Sequence, residues 1–270
     1  MESREIYPNP PLVLVAFEIR HPAAGVMPAN ALAEVKRRLA GEVPLRRDAT
    51  LVNLQVQPGP AGQPHVDTEI APKFFSRDST TAVTYRQAAI TVETTKYQRY
   101  ERVRELVDLV VKVRQTVSPI DGVDRIGLRY INEVRAPGVD ADGSFMTWAA
   151  WLDPSLLGPL PVADDLKLNP QQLQGLAQFE VAQDQTLALR FGPLDGYAVN
   201  PDGDLKRTTT TPGPFFLIDI DSFWTSSDET PQPDPAHILQ SCDALHAPVG
   251  ALFERLITER LRKEVFRYGT

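Results

Sequence analysis

Two short stretches of this 270-residue chain carry polar groups at spacings that suit chemistry. In the first, Val123 to Arg135, strand alternation puts Arg129 and Glu133 on one face with Gly127 and Ile131. Asn132 falls on the other face, among Ile126, Leu128, Tyr130 and Val134. An arginine oriented by a carboxylate binds an anion through its fork of N–H donors. The plainer expectation is a solvent-side Arg129–Glu133 pair, with Asn132 hydrogen-bonded in the core. In the second stretch, Asp219 and Asp221 share a strand face opposite Phe216, Ile218 and Ile220. Two such carboxylates bind a divalent cation such as Mg²⁺ when other oxygens complete the shell, with Glu133 a candidate third ligand. The plainer expectation is a solvated pair at a strand end.

His246 stands two residues before Pro248, which should kink or split a helix, and its ring could donate to a carbonyl freed there. Arg129, Glu133, Asn132 and His246 are thus the candidate ligand-binding residues. No metal and no cofactor is expected; were a metal present, Asp219 and Asp221 would hold it. Phe223, Trp224, Trp148 and Trp151 are candidates for an aromatic cluster between two halves of the chain, a core by default and a stacking platform otherwise.

Catalytic signatures are missing from the sequence: no GxSxG, GxxxxGK[ST], HExxH or GxGxxG occurs. The four histidines, His21, His65, His237 and His246, form no HxH or HxxxH pair. A net charge of -7 argues against a broad nucleic-acid or anionic-membrane surface. No apolar run approaches the roughly 20 residues of a membrane span, and the N-terminus shows no signal-peptide pattern. The single cysteine, Cys242, forbids an internal disulfide and is expected in the core. A cytoplasmic location is expected.

The elements that must position these groups follow from periodicity. Leu12–Ile19, apolar on both faces, reads as a central strand, Pro28–Leu39 as a helix ended by Gly41, and Leu51–Val56 as a second strand. Residues 58–72, rich in proline and glycine, read as a long mobile loop. Thr81–Tyr97 reads as a strand bent near Gln87, Gln98–Val117 as a helix, and Val123–Arg135 as a strand. Residues 138–147 read as a linker. Beyond it come a short helix at Trp148–Leu157, a hairpin of Leu173–Val181 with Thr186–Phe191, a second mobile loop over 192–213 and a strand at Phe215–Phe223. The chain closes on a long amphipathic helix over 234–266, capped by Asp234, with Ile238, Cys242, Leu245, Val249, Leu252 and Leu256 on its apolar side.

Four motifs run through this order: Asn9-Pro10-Pro11-Leu12 leading into Phe17-Glu18-Ile19-Arg20; Arg125-Ile126-Gly127-Leu128-Arg129-Tyr130-Ile131-Asn132; Phe216-Leu217-Ile218-Asp219-Ile220-Asp221; and Leu245-His246 leading to Leu252-Phe253-Glu254 and Ile257-Thr258. Together they resemble a sporadically distributed family of bacterial cytoplasmic proteins of unknown function. The resemblance implies one architecture built from both halves and carries no activity, ligand or catalytic residue.

The expected fold is α+β, mostly antiparallel sheet with helices packed on one face. A ferredoxin-like half spans residues 1–137 and a second α+β half ending in the long helix spans 138–270, the two pseudo-similar and integrated in one unit. The expected function is a non-enzymatic module that binds a partner protein or a small ligand. The alternatives are a metal-dependent hydrolase or nuclease using Asp219 and Asp221, and a ferredoxin-like RNA-binding protein, for which nucleic acid is the less favoured partner. Oligomeric state is open.

Overall fold

Alternation decides the inside and the outside of β1 (Leu12–Arg20): Val15, Phe17 and Ile19 are buried, while Ala16 and Glu18 face the other way. In the computed structural model, which describes residues 7–55, 65–139, 145–208, 211–227 and 229–268, β1 lies inside a nine-stranded antiparallel sheet. It is followed by α1 (Ala29–Leu39), β2 (Leu45–Gln55), β3 (His65–Phe75), β4 (Thr81–Tyr85), β5 (Ala89–Thr94), α2 (Tyr100–Val117) and β6 (Arg125–Val134). A short α3 (Leu160–Asp165), the hairpin β7 (Gly175–Ala182) and β8 (Gln185–Leu194), then β9 (Phe215–Thr225), α4 (Pro235–Leu256), the single turn α5 (Glu259–Leu261) and a π-helical turn at Arg262–Phe266 complete the order. Across the sheet the strands run β2-β3-β4-β5-β1-β6-β9-β8-β7.

One face of this sheet is covered. Val35 and Leu39 of α1, Val107 and Val110 of α2, and Ile238, Cys242 and Leu245 of α4 share one core with Phe17, Ile90, Leu128, Ile218 and Leu189 from the strands. The amphipathic spacing of α4 therefore holds, except that Leu252 is only partly buried.

Several boundaries differ from the sequence reading. β2 begins at Leu45, and His65–Pro72, expected in a loop, is the first part of β3; residues 58–64 of that loop lie outside the described residues. Over this part β3 pairs only with β2, because its ladder with β4 starts at Lys73. Pro72, which has no N–H to donate, is tolerated on such a one-sided strand. The bent strand of 81–97 is a tight hairpin of β4 and β5. Four strands stand between α1 and α2, not two. The expected helix over Trp148–Leu157 is two 3₁₀ turns, Phe145–Ala150 and Pro154–Leu156, and residues 140–144 of the 138–147 linker lie outside the described residues.

Pro248 does not split α4. It cannot donate to the carbonyl four residues back, Ala244, and that oxygen accepts instead from Gln185 Nε2 on β8 at 3.3 Å. The helix stops at Ile257, which is extended and pairs with Leu152.

Candidate functional site

The uncovered face is where the charges gather. On β1, β5, β6 and β9 the residues alternate with the core set, so Ala16, Glu18, Thr91, Glu93, Arg125, Gly127, Arg129, Asp219 and Asp221 point away from the helices. Arg47 of β2 and Lys73 of β3 come from the far side of the sheet. A flat sheet would hold β2 and β6 roughly 24 Å apart at about 4.8 Å per strand. Both nevertheless line a single cavity of 640 Å³, so the sheet curls and its open face is concave. Small residues, Ala16, Thr84, Thr91 and Gly127, lie beneath the cavity.

Arg125 crosses this floor. Its guanidinium bonds Glu18 at 3.2 Å and Asp221 at 3.1 Å and rests 4.5 Å from the centre of the Phe223 ring. Arg129 meets Asp219 with two parallel bonds of 2.7 Å, and Arg190 of β8 approaches the same carboxylate at 3.5 Å. Bidentate pairing stabilises the charged guanidinium and raises the pKa of Arg129, against the effect of burial. Burial raises the pKa of Asp221 above the ordinary carboxylate value, and the neighbouring Arg125 and Arg129 only partly oppose it. On the opposite wall, the Phe75 ring carries Arg47 at 4.7 Å and Lys73 at 5.4 Å from its centre. Lys73 is paired with Asp204 at 3.2 Å and Glu93 at 3.6 Å.

The stretch between β8 and β9 closes one end of the concavity. Leu205 is buried against Phe75 and Ala82 on the open face, with Leu14 and Leu45 beside it. Glu133 is the anchor: its carboxylate receives both Nη atoms of Arg207, at 2.9 and 3.0 Å, the Ala198 amide at 2.9 Å and Arg135 Nε at 2.9 Å. Arg135 also donates to the carbonyls of Gly196 and Gly213, so both ends of the stretch are tied to β6. Burial alone would raise the pKa of Glu133; the hydrogen bonds from Arg207, Ala198 and Arg135 outweigh it and hold the carboxyl below its usual range.

The candidate residues therefore divide. Arg129 and Asp219 meet each other, and Asp221 lies beside them. The expected Arg129–Glu133 pair does not form, because Glu133 is committed to Arg207 and Arg135. Asp219 and Asp221 are not solvated strand-end groups; they stand mid-strand in β9, and Asp219 is 1% exposed. Asn132 is in the core, where Nδ2 donates to the Ile218 carbonyl at 3.0 Å. His246 is on the helix side: its ring stacks on Tyr100 with centres 3.9 Å apart, and Nδ1 shares a hydrogen bond with Tyr130 at 2.8 Å. The freed carbonyl near Pro248 goes to Gln185 instead. The four aromatics do not form one cluster. Trp148 packs on Phe216, Trp151 faces Arg260, Trp224 meets His237, and Phe223 lies under Arg125 on the other face.

Sequence reasoning missed Arg125, Glu18, Arg47, Lys73 and Arg207. Arg125 had a visible signal, since it shares the odd-numbered face of Gly127 and Arg129. Arg47 and Lys73 lay outside the expected strands, so no alternation placed them. Among the described residues no group of three or more His, Cys, Asp or Glu side chains is disposed to hold a metal ion. No helix of the described residues is long and apolar enough to cross a membrane. The chain matches no protein-family model and no curated protein.

Proposed function

We propose that this chain is a non-enzymatic module that binds a small polar ligand in the concave face of its sheet. The observation that carries this reading is the 640 Å³ cavity, floored by small residues and walled by Arg47 and Lys73 on one side and Arg125 and Arg129 on the other. That volume falls in the range of small-molecule sites, roughly 300–1,000 Å³. Ion pairs already formed within the wall reduce the reorganisation required when a ligand arrives. A fragment screen followed by amide NMR tests the reading. Ligand-induced shifts should concentrate on Thr84, Thr91, Gly127 and Arg129; shifts scattered over the helix side would overturn it.

A partner protein is the second reading, supported by the free edge strand β7, where Leu176 is 62% and Phe179 48% exposed. The hydrolase reading is ranked lower, because a cation entering at Asp219 and Asp221 meets the guanidiniums of Arg129, Arg190 and Arg125. RNA binding is ranked lower still, since Phe75 and Phe223 lie under cations and offer no bare stacking surface.

A ferredoxin-like first half belongs to this proposal. The order β6-β1-β5-β4 with α1 and α2 supports it, the β2–β3 hairpin then being an addition at the edge. Pseudo-similarity of the halves is also proposed, on the rough order of strands followed by a long helix that both share. Membership of the sporadically distributed bacterial family is proposed on the four motifs alone, and a cytoplasmic location on the lone, buried Cys242.

A further inference from the structure

The charges of the concave face do not cancel. Around β1, β6, β8 and β9 the guanidiniums of Arg20, Arg125, Arg129 and Arg190 share the carboxylates of Glu18, Asp219 and Asp221, four cations to three anions. Asp219 and Glu18 each face two guanidiniums. Across the cavity, Arg47 rests on Phe75 and donates to the Ser79 hydroxyl at 3.1 Å, and no carboxylate among the described residues pairs with it. It is the cation of that wall left over after Lys73 has met Glu93 and Asp204. The surplus therefore lies on the β6–β9 side, and Arg47 adds from the facing wall a cation without a carboxylate partner among the described residues, in a chain whose net charge is -7. A concave, low-dielectric surface concentrates such a local field.

We propose that the concave face selects an oxyanion: a small organic molecule bearing a phosphate or carboxylate group, seated between Arg47 and Arg129. The inference rests on the concave-face reading above and adds the ligand's charge class. Arg129 is suited to the task because Asp219 holds its Nε and Nη2 and fixes the plane of the guanidinium. Its side chain is 44% exposed, so the remaining donor edge reaches the cavity. Arg47, over the Phe75 ring, offers a second planar fork from the facing wall. Carboxylate and phosphate both fit such forks, whereas an amine or a metal ion meets the surplus charge unfavourably.

Calorimetric titration with pyrophosphate, citrate and spermidine, on the wild-type chain and on Arg47→Gln, tests this. At least one oxyanion should bind, more weakly as salt is raised, and spermidine should not. Arg47→Gln should lower the oxyanion affinity tenfold or more while leaving the melting temperature of the unliganded protein unchanged. Pyrophosphate alone assigns a phosphate ligand, and citrate alone a carboxylate. Failure of both oxyanions to bind, or equal binding by Arg47→Gln, overturns the proposal. Amide NMR separates the two levels. Spermidine binding with shifts at Thr91 and Gly127 overturns the anion class and keeps the concave site; oxyanion shifts confined to β7 or the helices overturn both.

Discussion

The guanidinium of Arg125 fills the space a side chain at position 127 would take: a Cβ on Gly127 would stand 2.5 Å from Arg125 Nη1. Glycine here is needed for a neighbour's path rather than for its own backbone freedom. Gly127→Ala should expel Arg125 from its bridge between Glu18 and Asp221. Because the displaced group is the end of a flexible side chain, stability should change by no more than about 1 kcal/mol, the span of strand preferences. Ligand binding on the concave face should be lost. Urea unfolding and ligand titration on one preparation check both halves, and unaltered binding would remove Arg125 from the site.

Asp219 is buried and held by Arg129, so removing the partner strands a charge. Arg129→Gln should cost about 1–3 kcal/mol, the range for a buried polar group deprived of its charged partner, with Arg190 limiting the loss. The same carboxylates decide the metal question. Millimolar Mg²⁺ should leave the melting temperature unmoved in wild type and in Asp219→Asn. A rise in wild type that disappears in Asp219→Asn would promote the metal-dependent hydrolase.

Acid should weaken the fold in two steps. His21 is buried and its pKa is lowered, chiefly by loss of solvent, so the folded state resists protonation. Its contribution is present above the unfolded value, about 6.5, and is lost as pH falls through the lower folded value. Glu133 likewise has a folded pKa below the unfolded value, about 4.3, so its contribution persists at neutral pH and is lost at more acidic pH. Glu133→Gln should shrink the second step, which Asp243, with its own lowered pKa, shares, and leave the first. Urea midpoints measured from pH 8 to 3 give the answer; an unchanged acid limb in Glu133→Gln would remove Glu133 from that role.

The stretch between β8 and β9 should resist proteases despite its glycines and prolines. Leu205 and the side chain of Arg207 are buried, and Glu133 and Arg135 tie it to β6. Limited proteolysis of wild type should spare residues 198–207, whereas Glu133→Gln should open them to cleavage. Early cuts there in wild type would contradict the anchoring.

Leu245 is 1% exposed at the centre of the α4 stripe. Leu245→Ala should cost about 2–5 kcal/mol, as for buried leucine truncations, and Leu252→Ala less, because Leu252 is only partly buried. Equal costs in urea unfolding would mean that the two positions are equally buried.

By itself the sequence determined the elements whose pattern is local. The alternation of β1 and β6, the apolar stripe of α4, the β7–β8 hairpin and the core position of Cys242 all follow from residues within one or two turns or pleats of each other. It also placed Arg129, Asp219 and Asp221 on strand faces away from their apolar neighbours. Where neighbouring strands decide, it went astray. The stretch up to Pro72 looked like loop because one-sided pairing with β2 is invisible along the chain. Which carboxylate meets which arginine lay further out of reach. Arg129 finds Asp219 only because β9 lies beside β6, bringing together residues 90 apart, and Glu133 finds Arg207 across 74. Face is a property of the period of one strand, whereas partnership depends on the order and curl of the whole sheet. Only the tertiary structure turned an expected Arg129–Glu133 pair into two separate networks, one on the wall of a cavity and one beneath the stretch that closes it.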